Sequence, residues 1–205
     1  IVDEWGTWYD VEPGTNPGFL YQQNSIRDAL VAGLTLNIFH KHSDRVRMAN
    51  IAQTINVLQA VILTEGEKMI LTPTYHVFNM YKVHQDAELL DLALESGTYS
   101  FEGREIPEVS ASASVTAEGV IHVSLCNLNH AEAAKLPLEL RGLAGQAAEV
   151  TGTTLAGTAI DAHNTFSEPE AVAPQPFTAF QLEDGVLSLE LPPMSVTVLE
   201  IKTKA

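Results

Sequence analysis

The run Asp3-Glu4-Trp5-Gly6-Thr7-Trp8-Tyr9 places two carboxyl groups and three aromatic rings within seven residues near the start of the chain. Carboxylates can serve as nucleophile, acid or base, and aromatic rings pack on the apolar faces of sugars, so these residue types suit chemistry on a carbohydrate. Cleaving a glycosidic bond takes two carboxyl groups, about 5 to 5.5 Å apart for retention of configuration and about 6.5 to 9.5 Å for inversion. Asp3 and Glu4 are not that pair. Neighbours on a strand point to opposite faces, so only one of them faces a pocket and the second acid comes from elsewhere. Glu65 is the nearest candidate by topology, although beside Glu67 it also reads as a solvated loop carboxylate. Asp3 equally suits a strand-end anchor, and the aromatics a core.

Other chemistry-bearing residues are less telling. His40 and His42, with Asp44 nearby, have the alternate spacing that puts two imidazoles on one face of an extended segment, as in some zinc sites. No third ligand follows at a matching spacing. His76 and His84 make no i, i+4 pair and read as ordinary helix residues. Cys126 has no His or Asp at motif distance and reads as a buried thiol. No phosphate loop or dinucleotide fingerprint occurs, so no metal and no cofactor is expected.

The elements that position these residues change character along the chain. Ser25 is a suitable N-cap for a helix with apolar residues at Ile26, Ala29, Leu30, Leu34 and Ile38. A second helix is expected after Ser43, with its stripe at Met48, Ile51, Ala52 and Ile55. The continuous apolar run Val57 to Leu63, ending in Thr64-Glu65-Gly66-Glu67, predicts a strand buried on both faces, as in a parallel sheet. Thr72-Pro73 opens a further helix through Tyr75, Phe78, Met80 and Tyr81. Two successive βα units follow from this order.

Beyond about residue 88 the period becomes two. Val120 to Leu125, Val186 to Leu191 and Val196 to Ile201 read as strands of an antiparallel sandwich, with Ser110-Ala111-Ser112-Ala113-Ser114 as a loop or an edge strand. The fold class is thus α/β plus all-β. Domains are expected at 1–88 and 89–205. Two βα units leave sheet edges unpaired, so the first half reads as the end of a larger fold.

Composition narrows the partners. The 205 residues are 45% hydrophobic and 18% charged, enough to bury a core, with a net charge of −15 and a pI near 4.7. Residues 1–90 carry 6 basic and 10 acidic groups, and residues 91–205 carry 5 and 16. That excess repels phosphate backbones and anionic membrane surfaces and leaves neutral ligands such as sugars. No apolar stretch of membrane-spanning length occurs. One cysteine makes no internal disulfide, which favours a reducing compartment. The first residues lack a basic region followed by an apolar run, and the chain starts without Met, which leaves open a targeting signal upstream of Ile1.

Asp3 to Tyr9, Phe39-His40-Lys41-His42-Ser43-Asp44-Arg45-Val46, Asn50-Ile51-Ala52-Gln53, Asn56-Val57-Leu58-Gln59 to Gly66, and Thr72-Pro73-Thr74-Tyr75-His76-Val77-Phe78 together resemble the C-terminal portion of α-L-arabinofuranosidases of glycoside hydrolase family 51. The resemblance covers essentially the whole chain and is densest before residue 90. It implies the last two βα units of a (β/α)8 barrel followed by a jelly-roll-like antiparallel β-sandwich. Glu4 then matches the nucleophile at the end of the seventh barrel strand, and Val57 to Thr64 the eighth strand. Gln59 matches a glutamine that hydrogen-bonds the arabinose, and Trp8 an aromatic lining the site.

The family retains configuration through a glycosyl-enzyme, with a second Glu as acid and then base. That Glu sits in an Asn-Glu motif, and no Asn-Glu pair occurs in these 205 residues. The implied function is hydrolysis of terminal non-reducing α-L-arabinofuranosides in arabinose-containing oligo- or polysaccharides, the isolated chain being inactive without its acid. The resemblance also implies a cytoplasmic homo-oligomer, with no nucleic acid or membrane partner. The alternative is a carbohydrate-binding or structural β-sandwich with a non-catalytic barrel remnant. Residues 91–205 offer few aromatics for binding, Tyr99, Phe101, Phe166, Phe177 and Phe180, and no Trp.

Overall fold

A computed structural model of the chain describes residues 1–20, 23–141 and 148–203. Strand β1 (Val2–Trp5) is followed by helix α1 (Ile26–Lys41), and β2 (Ala49–Ile51) returns parallel to β1. An antiparallel hairpin, β3 (Ile62–Glu65) and β4 (Lys68–Leu71), precedes α2 (Pro73–Tyr81). Then come β5 (Glu88–Leu90), the hairpin β6 (Thr98–Phe101) and β7 (Arg104–Pro107), β8 (Val109–Val115), β9 (Ile121–Asn127) and β10 (Ala134–Glu139). The chain ends with β11 (Ala148–Ala156), β12 (Gln175–Pro176), β13 (Phe180–Glu183), β14 (Val186–Leu191) and β15 (Ser195–Thr203).

Local chemistry accounts for the two helices. Ser25 and Asp28 form a reciprocal capping box at the start of α1, and Ile26, Ala29, Leu30 and Ala32 supply its buried face. Thr72 caps α2 by accepting from the Tyr75 backbone N–H at 3.4 Å, and Pro73 stands where a missing N–H costs nothing.

The later strands form a six-stranded sheet of order β12-β11-β15-β9-β8-β5 and a three-stranded sheet of order β10-β14-β13. The two face each other across one core of Val109, Ala111, Val123, Leu125, Leu187, Leu189, Leu191, Leu199 and Ile201. The other face of the larger sheet receives the helices: Ile26, Ala29, Leu30, Val77, Met80 and Tyr81 pack on Cys126, Leu155, Val196 and Val198. Cover on both sides explains why β8, β9 and β15 are buried almost continuously, whereas β14, with one face to solvent, alternates. Asp184-Gly185 joins β13 to β14 with φ of 50° and 82°, the paired left-handed geometry that matches the strand twist.

Three expectations are corrected. The segment after Ser43 is not a second helix: it turns and becomes β2, whose pairing with β1 overrides the helix-like spacing of Met48, Ile51 and Ile55. Val57 to Val61 is a turn, not a strand, and regular pairing begins only at Ile62. Leu58, Gln59 and Ala60 are all buried there, and an apolar run reports burial without specifying strand. Ser110 to Ser114 is neither loop nor edge: β8 lies between β5 and β9. Its alanines face the smaller sheet, while Ser110 and Ser112 hydrogen-bond to side chains of α1. The strand expected at 120–125 runs Ile121–Asn127, and the one at 186–191 has the expected bounds.

Candidate active site

Strand β1 ends in an irregularity that governs its acidic side chains. Val2 is opposite Ala49 and Trp5 opposite Ile51, so Asp3 and Glu4 share the space across from Asn50. This bulge breaks the strict alternation expected of neighbours, and Asp3 and Glu4 are both exposed. Asn50 Nδ2 donates to the Asp3 carbonyl at 3.2 Å, and the Ala52 N–H to the Trp5 carbonyl at 3.0 Å. Trp5 fixes the strand to the helices, its ring edge-on to Phe39 at 5.5 Å and stacked with Phe78 at 6.1 Å.

Gly6 follows at φ 145°, and a Cβ there would stand 2.7 Å from Gln59 Cγ. The bare backbone lets the turn carrying Gln59 close against the strand end. Gln59 itself has φ 56°, a left-handed conformation costing a non-glycine residue roughly 1 to 2 kcal/mol, and is 1% exposed.

A buried carboxylate joins these pieces. Asp28 Oδ2 accepts from the Ser25 backbone N–H at 2.8 Å and lies 3.3 Å from both Ser25 Oγ and an Arg27 guanidinium nitrogen. Its Oδ1 accepts from Thr7 Oγ1 and from Gln59 Nε2, each at 3.0 Å, and Gln59 Nε2 also donates to Thr7 Oγ1. Beyond Thr7, Trp8 is 70% exposed, and Tyr9 receives the Arg27 guanidinium over its ring at 3.6 Å. Gln59 is therefore tied to the Glu4–Trp8 segment, and Trp8 stands clear at the surface. Glu65, at the end of β3, is exposed in the hairpin.

Sequence reasoning passed over Asp28 and Thr7. The spacing Ser25-x-x-Asp28 ahead of an apolar run is a capping signature and was the available signal for Asp28. It also missed a second polar cluster, and His84 is corrected from an ordinary helix residue to a member of it. His84 Nδ1 lies 2.7 Å from Ser114 Oγ and its Nε2 2.6 Å from Ser124 Oγ, with the His40 ring at 4.7 Å and the His122 ring at 6.3 Å. Burial, then the neighbouring His40 and His122, push its pKa down to about 3; burial also lowers that of His40. His40 Nδ1 meets Ser112 Oγ at 2.9 Å. Cys126 is fully buried beside the Tyr81 hydroxyl, and burial pushes its thiol up to about 12, the behaviour of an inert core cysteine.

Among the described residues no group of three or more His, Cys, Asp or Glu side chains is placed to hold a metal. A groove of about 1070 Å³ opens between the two sheets, along Leu90 to Glu95 and Leu136 to Arg141, and none of Glu4, Trp8 and Gln59 lines it. Phe177 is buried and Phe101 is 64% exposed, so the sheets present no row of exposed rings among these aromatics.

A parallel strand pair connected through a helix, with two exposed carboxylates at its bulged end, is thus joined to two antiparallel sheets. The profile of the α-L-arabinofuranosidase C-terminal domain matches residues 3–195. The chain is 46% identical over 203 residues to an intracellular exo-α-L-arabinofuranosidase of Bacteroides ovatus, covering 98% of this chain and 39% of that protein. It superposes on the crystal structure of the family 51 arabinofuranosidase of Xanthomonas axonopodis pv. citri with a TM-score of 0.94 at 48% identity, over 98% of this chain and 41% of that one. The Thermotoga maritima arabinofuranosidase, solved as an arabinose complex, gives a TM-score of 0.81 at 27% identity, with 98% and 42% covered. The chain belongs to the α-L-arabinofuranosidases of glycoside hydrolase family 51, within their C-terminal domain family, and spans about two fifths of the length of these relatives. No helix among the described residues is long and apolar enough to cross a membrane.

Proposed function

We propose that this chain is the C-terminal portion of a retaining arabinofuranosidase, with Glu4 as nucleophile and Gln59 and Trp8 binding the arabinose. β1 and β2 are then the last two strands of a (β/α)8 barrel, β2 taking the place expected for Val57 to Thr64, and residues 89–205 a jelly-roll-like sandwich closing on residues 1–88. The observation that carries this reading is the convergence of the bulged end of β1 with the Gln59 turn, through Thr7 and Asp28, in a chain of this family. Barrel enzymes place their chemistry at such strand ends.

In this reading the Glu4 carboxylate attacks the anomeric carbon of a terminal non-reducing α-L-arabinofuranoside, the aglycone oxygen departs with a proton, and an arabinosyl ester of Glu4 forms. Water then cleaves the ester with a second inversion, giving net retention. The proton donor is a second Glu outside these 205 residues, so the isolated chain is inactive. Substrates are arabinose-containing oligo- and polysaccharides, with no nucleic acid, membrane or cofactor partner. We place the intact enzyme in the cytoplasm as a homo-oligomer; relatives named as intracellular support the compartment.

Trapping the full-length enzyme with a fluorinated arabinofuranoside that forms the ester quickly and hydrolyses slowly tests the assignment. Peptide mapping is expected to place the adduct on Glu4. An adduct on any other carboxylate removes it.

A further inference from the structure

A helix cap needs one carboxylate oxygen, and Asp28 uses Oδ2 for it, accepting the Ser25 N–H. Its Oδ1 does something else: it gathers Thr7 and Gln59, which lie 21 and 31 residues away in sequence. We propose that Asp28 is a positioning residue, whose Oδ1 orients the Gln59 amide and ties it to the Glu4–Trp8 segment so that Gln59 Oε1 is presented to a sugar hydroxyl. The inference rests on the reading of Gln59 as a sugar-binding residue and adds what holds it.

Proton bookkeeping sets the orientation. A carboxylate only accepts, so the group facing it must be the amide's NH2. One Nε2 hydrogen goes to Asp28 Oδ1 and the other to Thr7 Oγ1, whose own hydrogen goes to Asp28 Oδ1, and every donor in the triangle is used. A flipped amide would set its carbonyl oxygen against Oδ1 and waste both donors. Among the described residues no hydrogen bond reaches Gln59 Oε1, and it is not one of the buried unpaired atoms, which are Trp5 Nε1, Arg27 Nε and His122 Nδ1. The 1% of Gln59 that is exposed therefore includes this acceptor, while the amine faces Asp28. Gly6 and the left-handed backbone at Gln59 leave the side chain little room to re-orient.

The full-length enzyme carrying single and paired substitutions tests this. In Asp28→Asn the remaining oxygen goes to the Ser25 N–H, keeping the cap, and the new NH2 faces Gln59, which forces the amide to turn over. The expected result is a fall in kcat/KM on an aryl arabinofuranoside of roughly 10- to 100-fold, the scale of one misdirected hydrogen bond at a sugar hydroxyl. Adding Gln59→Glu restores an acceptor on both sides, so Asp28→Asn/Gln59→Glu is expected to recover at least fivefold over Asp28→Asn, whereas Gln59→Glu alone opposes two carboxylates and loses activity. A purely structural cap predicts no such rescue. Should Asp28→Asn not fold, Thr7→Val, which leaves the cap whole, carries the test with an expected loss of severalfold.

If Gln59→Ala lowers kcat/KM but Asp28→Asn stays within twofold of wild type, or is not rescued, the positioning role is overturned and the sugar-binding reading stands. If Gln59→Ala leaves kcat/KM unchanged, the sugar-binding reading falls first.

Discussion

At its N-terminal end α1 gathers the segment after β1 and the Gln59 turn through a buried carboxylate, whereas in its C-terminal half it meets the six-stranded sheet through amides, hydroxyls and imidazoles. Asp28 takes five donor contacts, three from its own helix start and two from distant loops. Further along, Asn37 reaches Ser110 and Ser112 and accepts from the Tyr81 hydroxyl at 3.1 Å, while His40 and His84 divide Ser112, Ser114 and Ser124 between them. A carboxylate serves where irregular backbone must be gathered from several directions, because it accepts without having to donate. Neutral groups serve where a helix lies flat on a sheet, because they can both donate and accept among neighbouring hydroxyls at no charge-burial cost.

Acid separates the two ends most strongly. The His84 pKa in the folded protein lies near 3, below the ordinary 6.5, so the unfolded chain takes up the proton first. Its contribution is whole above about pH 6.5 and drains as pH falls toward 3, at up to roughly 1.4 kcal/mol per pH unit. His40 acts in the same direction; the groups facing His84 are His40, His122, Tyr81, Ser114 and Ser124, with Glu200 behind His122 at 3.2 Å. Thermal unfolding followed from pH 7 to pH 4 should show a loss on the order of a few kcal/mol. In His84→Gln the loss should be shallower; equal slopes in both proteins would refute this account of the histidine–serine cluster.

Two glycines provide a matched pair. A Cβ at Gly33 would lie 2.6 Å from Cys126 Sγ, and one at Gly6 would lie 2.7 Å from Gln59 Cγ. Each alanine substitution should cost about 1 to 3 kcal/mol by denaturant unfolding. Gly6→Ala should in addition lower kcat/KM about tenfold, while Gly33→Ala leaves it within twofold. Similar activity in both would separate the Gln59 turn from catalysis. The smallest effect is expected for Ser25→Ala, about 1 kcal/mol, since Asp28 still accepts the backbone N–H there.

The sequence made some parts of this molecule legible and hid others for identifiable reasons. Ser25 is a cap in both readings, Thr72-Pro73 opens a helix in both, and Val186 to Leu191 alternates because only one of its faces is covered. The polypeptide around 43–61 was misread because β2 has only three residues and the buried turn at Leu58 to Ala60 imitates a buried strand. Glu4, Trp8 and Gln59 stood out through resemblance to a family. Asp28 did not, because its role depends on loops 21 and 31 residues away meeting at one helix start. Ser110, Ser112 and Ser114 resembled a solvated tract because their partners, on α1 and beside α2, are remote in sequence.

The most direct measurement is the stereochemistry of rescue. Replacing Glu4→Ala in the full-length enzyme should lower turnover of an activated aryl arabinofuranoside by about 10³-fold or more. Added azide should then attack from the vacated face and yield the inverted arabinosyl azide. An azide product of retained configuration, or a variant that turns over as well as wild type, would contradict the assignment of Glu4 as the nucleophile.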